Sequence, residues 1–151
     1  MSRTVRYAVA GDANAIARLL VDFNTEYGDP TPPVADLATR LRELMAADAV
    51  IVLADPGPSG VAVLRFRPAI WSSGQECYLA ELYVVPALRG QGIGRALMSA
   101  SIKAARERGA DQMDLGTSED DVAARALYES LGFVNVERLG GPVTYFYQRE
   151  L

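Results

Sequence analysis

The chain of 151 residues has no histidine. That removes His-based triads, imidazole metal sites and His proton shuttles together. It has one cysteine, Cys77, so no disulfide can close within it. A lone thiol with no secretory leader points to a reducing, cytoplasmic setting. Long apolar runs are also missing. The longest is Ala49 to Ala54, against the roughly 18–20 residues that span a bilayer, so no membrane partner is expected. Basic charge is in deficit: 15 Lys and Arg face 19 Asp and Glu, a net of −4. Bulk nucleic-acid binding runs on phosphate neutralisation and is therefore not expected.

What remains is half hydrophobic and 23% charged, the balance of one soluble globular domain over residues 1–151. A chain of this size buries roughly 68–70% of its unfolded surface, enough for a core without staples. The sign of charge is uneven. Residues 81–110 carry 5 basic and 2 acidic groups, a local net of +3. A basic middle in an acidic chain suits a small anionic ligand better than a polyanion. The alternative is that Lys103, Arg106 and Arg108 form a solvated helix face.

Hydrophobic periodicity predicts the elements. A strand runs over Thr4–Val9, and Asp12 is placed to cap a helix whose Ile16, Leu19, Leu20 and Phe23 form one stripe. Pro30, Pro32 and Pro33 break the chain before a second helix carrying Leu37, Leu41 and Leu44. Strands are expected at Ala49–Ala54, Val61–Arg67 and Glu76–Val85. Trp71, in the turn before the third of these, reads as a core residue, with a place in the wall of a site as the alternative. A helix follows to about Arg108, then a strand over Asp111–Gly116 and a helix over Asp120–Leu131. A final hairpin is expected over Asn135–Leu139 and Val143–Arg149. Its Val143, Tyr145 and Tyr147 alternation would permit pairing between two copies as a homodimer. The order is mixed α/β.

The segment most suited to binding is the turn after the third long strand: Arg89, Gly90, Gln91, Gly92, Ile93, Gly94, Arg95. Glycine lets backbone N–H groups approach a ligand closely. A helix start adds partial positive charge, and Arg89 and Arg95 flank the turn, so the site favours phosphate. No Lys follows as a Walker A loop requires, and the third glycine of a dinucleotide fingerprint is missing in either frame.

The R-x-x-G-x-G of Arg89, Gly92 and Gly94 resembles the pyrophosphate motif of the GNAT family, the GCN5-related N-acetyltransferases. The run Ala123–Phe133, with Leu127, Tyr128, Glu129 and Gly132, is similar to that family's second signature. The two stand in the family's order, and the resemblance covers nearly the whole chain. It implies a mixed, mostly antiparallel sheet flanked by helices, with a splayed central strand pair holding coenzyme A. It implies acetyl-CoA as donor and no metal. Leu82, Tyr83 and Val84 would then offer backbone groups to the pantetheine arm, and one N–H would polarise the thioester carbonyl. Tyr128 would protonate the departing thiolate: a thiol of pKa about 8.5 and a phenol of about 10 can share a proton. Asp121 falls where the family often has Asn, a second cofactor position. A carboxylate cannot donate, so it serves equally as a helix cap.

Acyl transfer to an amine needs an uncharged nitrogen. Without histidine, a carboxylate or a water relay must take the proton. Glu81 is the candidate base: strand alternation would set it with Cys77, Leu79, Tyr83 and Val85 on one face, where burial would raise its pKa. The alternative is an ion pair with Arg65 or Arg67. A covalent route through Cys77 is disfavoured by Glu76 beside it. The resemblance places Asn24, Glu26, Tyr27 and Asp29, around the end of the first helix, at the acceptor site; the alternative is an ordinary polar helix end. The acceptor expected is a small, cationic, polyamine-like primary amine. A protein or peptide acceptor, or a non-catalytic acyl-CoA sensor, are the alternatives. Acceptor identity, acyl-chain length and oligomeric state are not encoded in these motifs.

Overall fold

The computed structural model describes residues 3–151. The chain divides into two compact units, one ending at Leu115 and one spanning Gly116–Leu151.

The first unit is a five-stranded sheet with three helices. Its strands are β1 (Thr4–Tyr7), β2 (Ala49–Asp55), β3 (Gly60–Pro68), β4 (Gln75–Val84) and β5 (Ala110–Asp114), and its helices are α1 (Ala13–Glu26), α2 (Val34–Ala47) and α3 (Ile93–Glu107). The strands lie side by side in sequence order. Every pair is antiparallel except β4 with β5, which α3 joins as a parallel crossover.

The expected apolar stripes are what each helix buries. Ile16 and Leu19 of α1 and Leu41 of α2 pack with Ile51, Leu53, Val61, Val63 and Tyr83 on one side of the sheet. On the other side α3 buries Leu97, Met98, Ala104 and Ala105. Gly60 permits that approach: a Cβ there would stand 2.9 Å from the Leu97 side chain. Ser101 is fully buried on α3, and its hydroxyl donates to the Leu97 carbonyl at 2.7 Å, so this buried group is satisfied.

Three expectations are corrected. Trp71 is not a core residue: it stands 96% exposed in the loop between β3 and β4. Asp12 does sit at the start of α1, but its carboxylate gives the helix no cap bond. It accepts from the Val9 N–H and from Arg6 instead. The third concerns the second unit, which contains α4 (Val122–Ser130). Beyond it, Asn135–Leu139 and Val143–Arg149 form no hairpin. One bridge joins Val136 and Val143, and Thr144 bonds Asn135 through its backbone N–H at 2.7 Å and its hydroxyl at 3.0 Å. Tyr145 and Tyr147 are exposed. An apolar alternation makes a ladder only where one face is buried, and two strands alone are marginal in water.

Candidate active site

β4 builds most of the site, and an irregularity in it decides which way its side chains point. Leu79 faces Leu64 of β3, but Glu81 faces Val63, so Ala80 is an extra residue in the ladder. This is a β-bulge. It reverses the alternation beyond it. Cys77 and Leu79 share a face with Leu64 and Phe66, while Glu81 and Tyr83 turn to the α1 and α2 side with Val63 and Val61. The expectation of one face for Cys77, Leu79, Glu81, Tyr83 and Val85 is therefore corrected.

The same strand has an open edge. β4 pairs with β5 only from Gln75 to Tyr78, and beyond that the two strands part. The Val85 N–H donates to Ser59 across the β3 side at 2.9 Å. Ladder groups alternate, so those of Leu82 and Val84 project away from β3, into the gap. The strand then runs through a short 3₁₀ turn, Pro86–Leu88, into the glycine turn. Gly90 and Gly92 have φ of +78° and +85°, left-handed values that side chains resist. A Cβ at either would meet no atom within 4 Å, so their outer side is clear. α3 starts directly after Gly92 with no side chain capping it, and its first N–H groups have no intrahelical acceptor. Arg3 donates to the side chain of Gln91. Ile93 is buried and Arg95 is exposed on the first turn of α3. An open strand edge, a clear glycine turn and a helix start in succession suit an extended ligand carrying amides and phosphates.

Glu81 is half-buried, and burial raises its pKa above the usual carboxylate range. The ion-pair alternative is excluded, since Arg65 holds Asp48 at 2.7 Å and Arg67 holds Glu76. Cys77 is buried on the far face, its thiol pushed up to about 11, first by desolvation and then by Asp114. That disposes of it as a nucleophile at neutral pH.

Glu26 and Arg89 are brought together. The guanidinium donates through both terminal nitrogens to both carboxylate oxygens, at 2.9 and 2.8 Å. Its Nε donates to the Val84 carbonyl at 3.0 Å. Sequence reasoning placed these two residues in separate roles. Opposite charges 63 positions apart carry no pairing signal in one sequence. Tyr27 is exposed and lies edge-on to Phe23, centroids 5.5 Å apart.

In the second unit, Asp121 caps α4: its Oδ1 accepts from the Ala124 N–H at 3.1 Å. Tyr128 is buried and packs edge-on to Phe133. Burial, with the Asp121 charge second, pushes its hydroxyl up to about 12, so it holds its proton throughout the neutral range.

Residues 14–133 match the family model described as Acetyltransferase (GNAT) family, and the chain belongs to that family. An aminoglycoside N(6')-acetyltransferase type 1 of Stenotrophomonas maltophilia is 31% identical over 95% of this chain and 91% of its own. A thialysine N-epsilon-acetyltransferase of Bos taurus is 29% identical over 85% of this chain and 82% of its own. A solved structure of a candidate acetyltransferase from Arthrobacter sp. FB24 shares 44% identity, with TM-score 0.91 over 98% of this chain and 96% of that one. The family uses acetyl-CoA as acyl donor, so the chain is an N-acetyltransferase. No described helix is long and apolar enough to cross a membrane.

Proposed function

We propose that this acetyltransferase acts in the cytoplasm on a small cationic primary amine, which attacks the thioester directly in a ternary complex. One observation carries the reading: Glu81, half-buried with no ion pair among the described residues, stands on the strand whose open edge leads into the glycine turn. The relatives named for aminoglycoside and thialysine acetylation support an amine of this class.

Acetyl-CoA, when bound, supplies an activated acyl group. In this reading the Leu82 backbone groups and the Val84 N–H hold the amide-bearing arm, while the Tyr83 backbone, expected to share that role, faces Val61 of β3 instead. An N–H at the open edge polarises the thioester carbonyl as charge develops on its oxygen. Backbone groups over Arg89–Arg95 receive the pyrophosphate. Glu81 takes the proton the amine must lose, directly or through one water. Burial raises its pKa, which improves it as a base. Tyr128 donates to the thiolate as the C–S bond breaks. With a hydroxyl near 12 it acts chiefly as a hydrogen-bond donor. Glu26 and Tyr27 belong to the acceptor side.

Release of coenzyme A thiol from acetyl-CoA, measured against polyamines, aminoglycosides, amino acids and short peptides, tests the proposal. Turnover confined to small amines supports it. Turnover with peptides alone would replace it with a protein acetyltransferase. Calorimetric binding without any turnover would favour an acyl-CoA sensor.

A further inference from the structure

The end of α1 and the end of β4 are joined by four side chains in a closed ring. Phe23 stacks on Tyr83, centroids 5.0 Å apart and planes 18° from parallel. The Arg89 guanidinium lies over the same ring at 5.5 Å. Arg89 then pairs at two points with Glu26, three positions beyond Phe23 and so on the same side of α1. The turn of α1 that carries both Phe23 and Glu26 closes the ring. The Nε bond to the Val84 carbonyl anchors the guanidinium to β4 itself.

Each contact restrains a different freedom. The stacked rings fix the spacing of helix and strand. The two-point ion pair fixes their rotation, because a planar fork meets a planar carboxylate in one orientation. The segment that follows is pinned to the same helix end: the Asp29 N–H donates to Asn24 at 2.8 Å, and the Asn24 amide donates to the Pro30 carbonyl at 3.2 Å. Whatever holds the end of α1 therefore sets where residues 24–30 stand relative to Glu81.

We propose that the Phe23–Tyr83–Arg89–Glu26 ring is a clamp that fixes the acceptor side of the site, with Glu26 and Arg89 acting as positioning residues through each other rather than as separate ligands of amine and phosphate. The inference rests on the amine reaching Glu81 past the end of α1. The paired charges cancel, so neither presents a full charge to a ligand. The backbone of the glycine turn, not the Arg89 side chain, is left to receive the pyrophosphate. The clamp selects acceptors by holding the width of their entrance, and loosening it admits larger amines.

The test is a double-mutant cycle of Glu26→Gln and Arg89→Ala, with the charge swap Glu26→Arg/Arg89→Glu as rescue. Four quantities are read: amine KM, kcat, the acetyl-CoA Kd by calorimetry, and amide hydrogen exchange over residues 24–29. Each single variant should raise amine KM about tenfold, keep kcat within about threefold and leave Kd within twofold. Exchange at residues 24–29 should quicken alike in both. The double variant should be no worse than either single one, and the swap should recover part of the loss. A tenfold rise in the acetyl-CoA Kd for Arg89→Ala alone would make Arg89 a phosphate ligand and overturn the clamp. Additive effects on KM, or a KM effect of Glu26→Gln that Arg89→Ala does not share, would overturn it as well. Hydrogen exchange needs no acceptor, which separates the two claims. Coupled exchange without amine turnover would sink the proposed acceptor and leave the clamp standing, whereas turnover with unchanged exchange would sink the clamp alone.

Discussion

Leu79 and Glu81 stand two residues apart on β4 yet face opposite sides of the sheet, because Ala80 is inserted between their partners Leu64 and Val63. Without that bulge, Glu81 would point with Leu79 and Cys77 toward α3. With it, the carboxylate shares a face with Tyr83, on the side of α1 and its polar end. One inserted residue thus separates the candidate base from the thiol.

Glu81→Gln removes the proposed base while keeping side-chain size. Loss of a general base is worth roughly 10²–10⁴ in rate, so kcat should fall at least 100-fold with the acetyl-CoA Kd unchanged. In the parent, activity should rise with pH through the ionisation of Glu81. That limb lies above the ordinary carboxylate range, because burial raises the group. A pH–rate profile that keeps this limb in the glutamine variant would reassign the base.

Tyr128→Phe deletes one hydroxyl from a buried ring. A tenfold or greater loss of kcat is expected, with the thermal midpoint nearly unmoved since the ring still meets Phe133. Unchanged turnover would show that the thiolate leaves with a proton from water.

Gly92→Ala puts a side chain at φ +85°. The left-handed region costs an L-residue about 1–2 kcal/mol, and the strain falls on the start of α3. Weaker acetyl-CoA binding and a lower unfolding midpoint should appear together. The space outside Gly92 is clear, so an effect on affinity without one on stability would mean that the methyl meets the ligand directly.

Asp12 is held at about 2, first by Arg6 and then by the Val9 N–H. A depressed carboxylate stabilises the folded state above its unfolded value of about 3.9. That contribution fades as pH falls from there through about 2. Arg6 is substantially exposed, which limits the contribution to about 1 kcal/mol or less. Thermal unfolding followed from pH 6 to pH 2 should fall less steeply in Asp12→Asn than in the parent.

Cys77, with its thiol near 11 and buried, should ignore Ellman's reagent at pH 8 until denaturant exposes it. Cys77→Ala should keep its turnover. Rapid labelling of the folded protein, or inactivity of the alanine variant, would reopen a covalent route.

Local chemistry was legible from the residues. The stripe of Ile16, Leu19, Leu20 and Phe23, the run Ala49–Ala54, and the glycines bounding α3 each dictate an element through short-range sterics and burial. The turn from Arg89 to Gly94 was legible as a glycine turn opening a helix, because φ above zero and helix starts are local properties. The final hairpin failed for the converse reason: its alternation is local, but a ladder needs a face to bury, and Tyr145 and Tyr147 find none. Only the tertiary structure decided the rest. The bulge at Ala80 depends on which β3 residue each β4 residue meets. The union of Glu26 with Arg89 joins positions far apart in the chain. Register and long-range charge pairing arise when the whole core packs, and no window of sequence holds both partners.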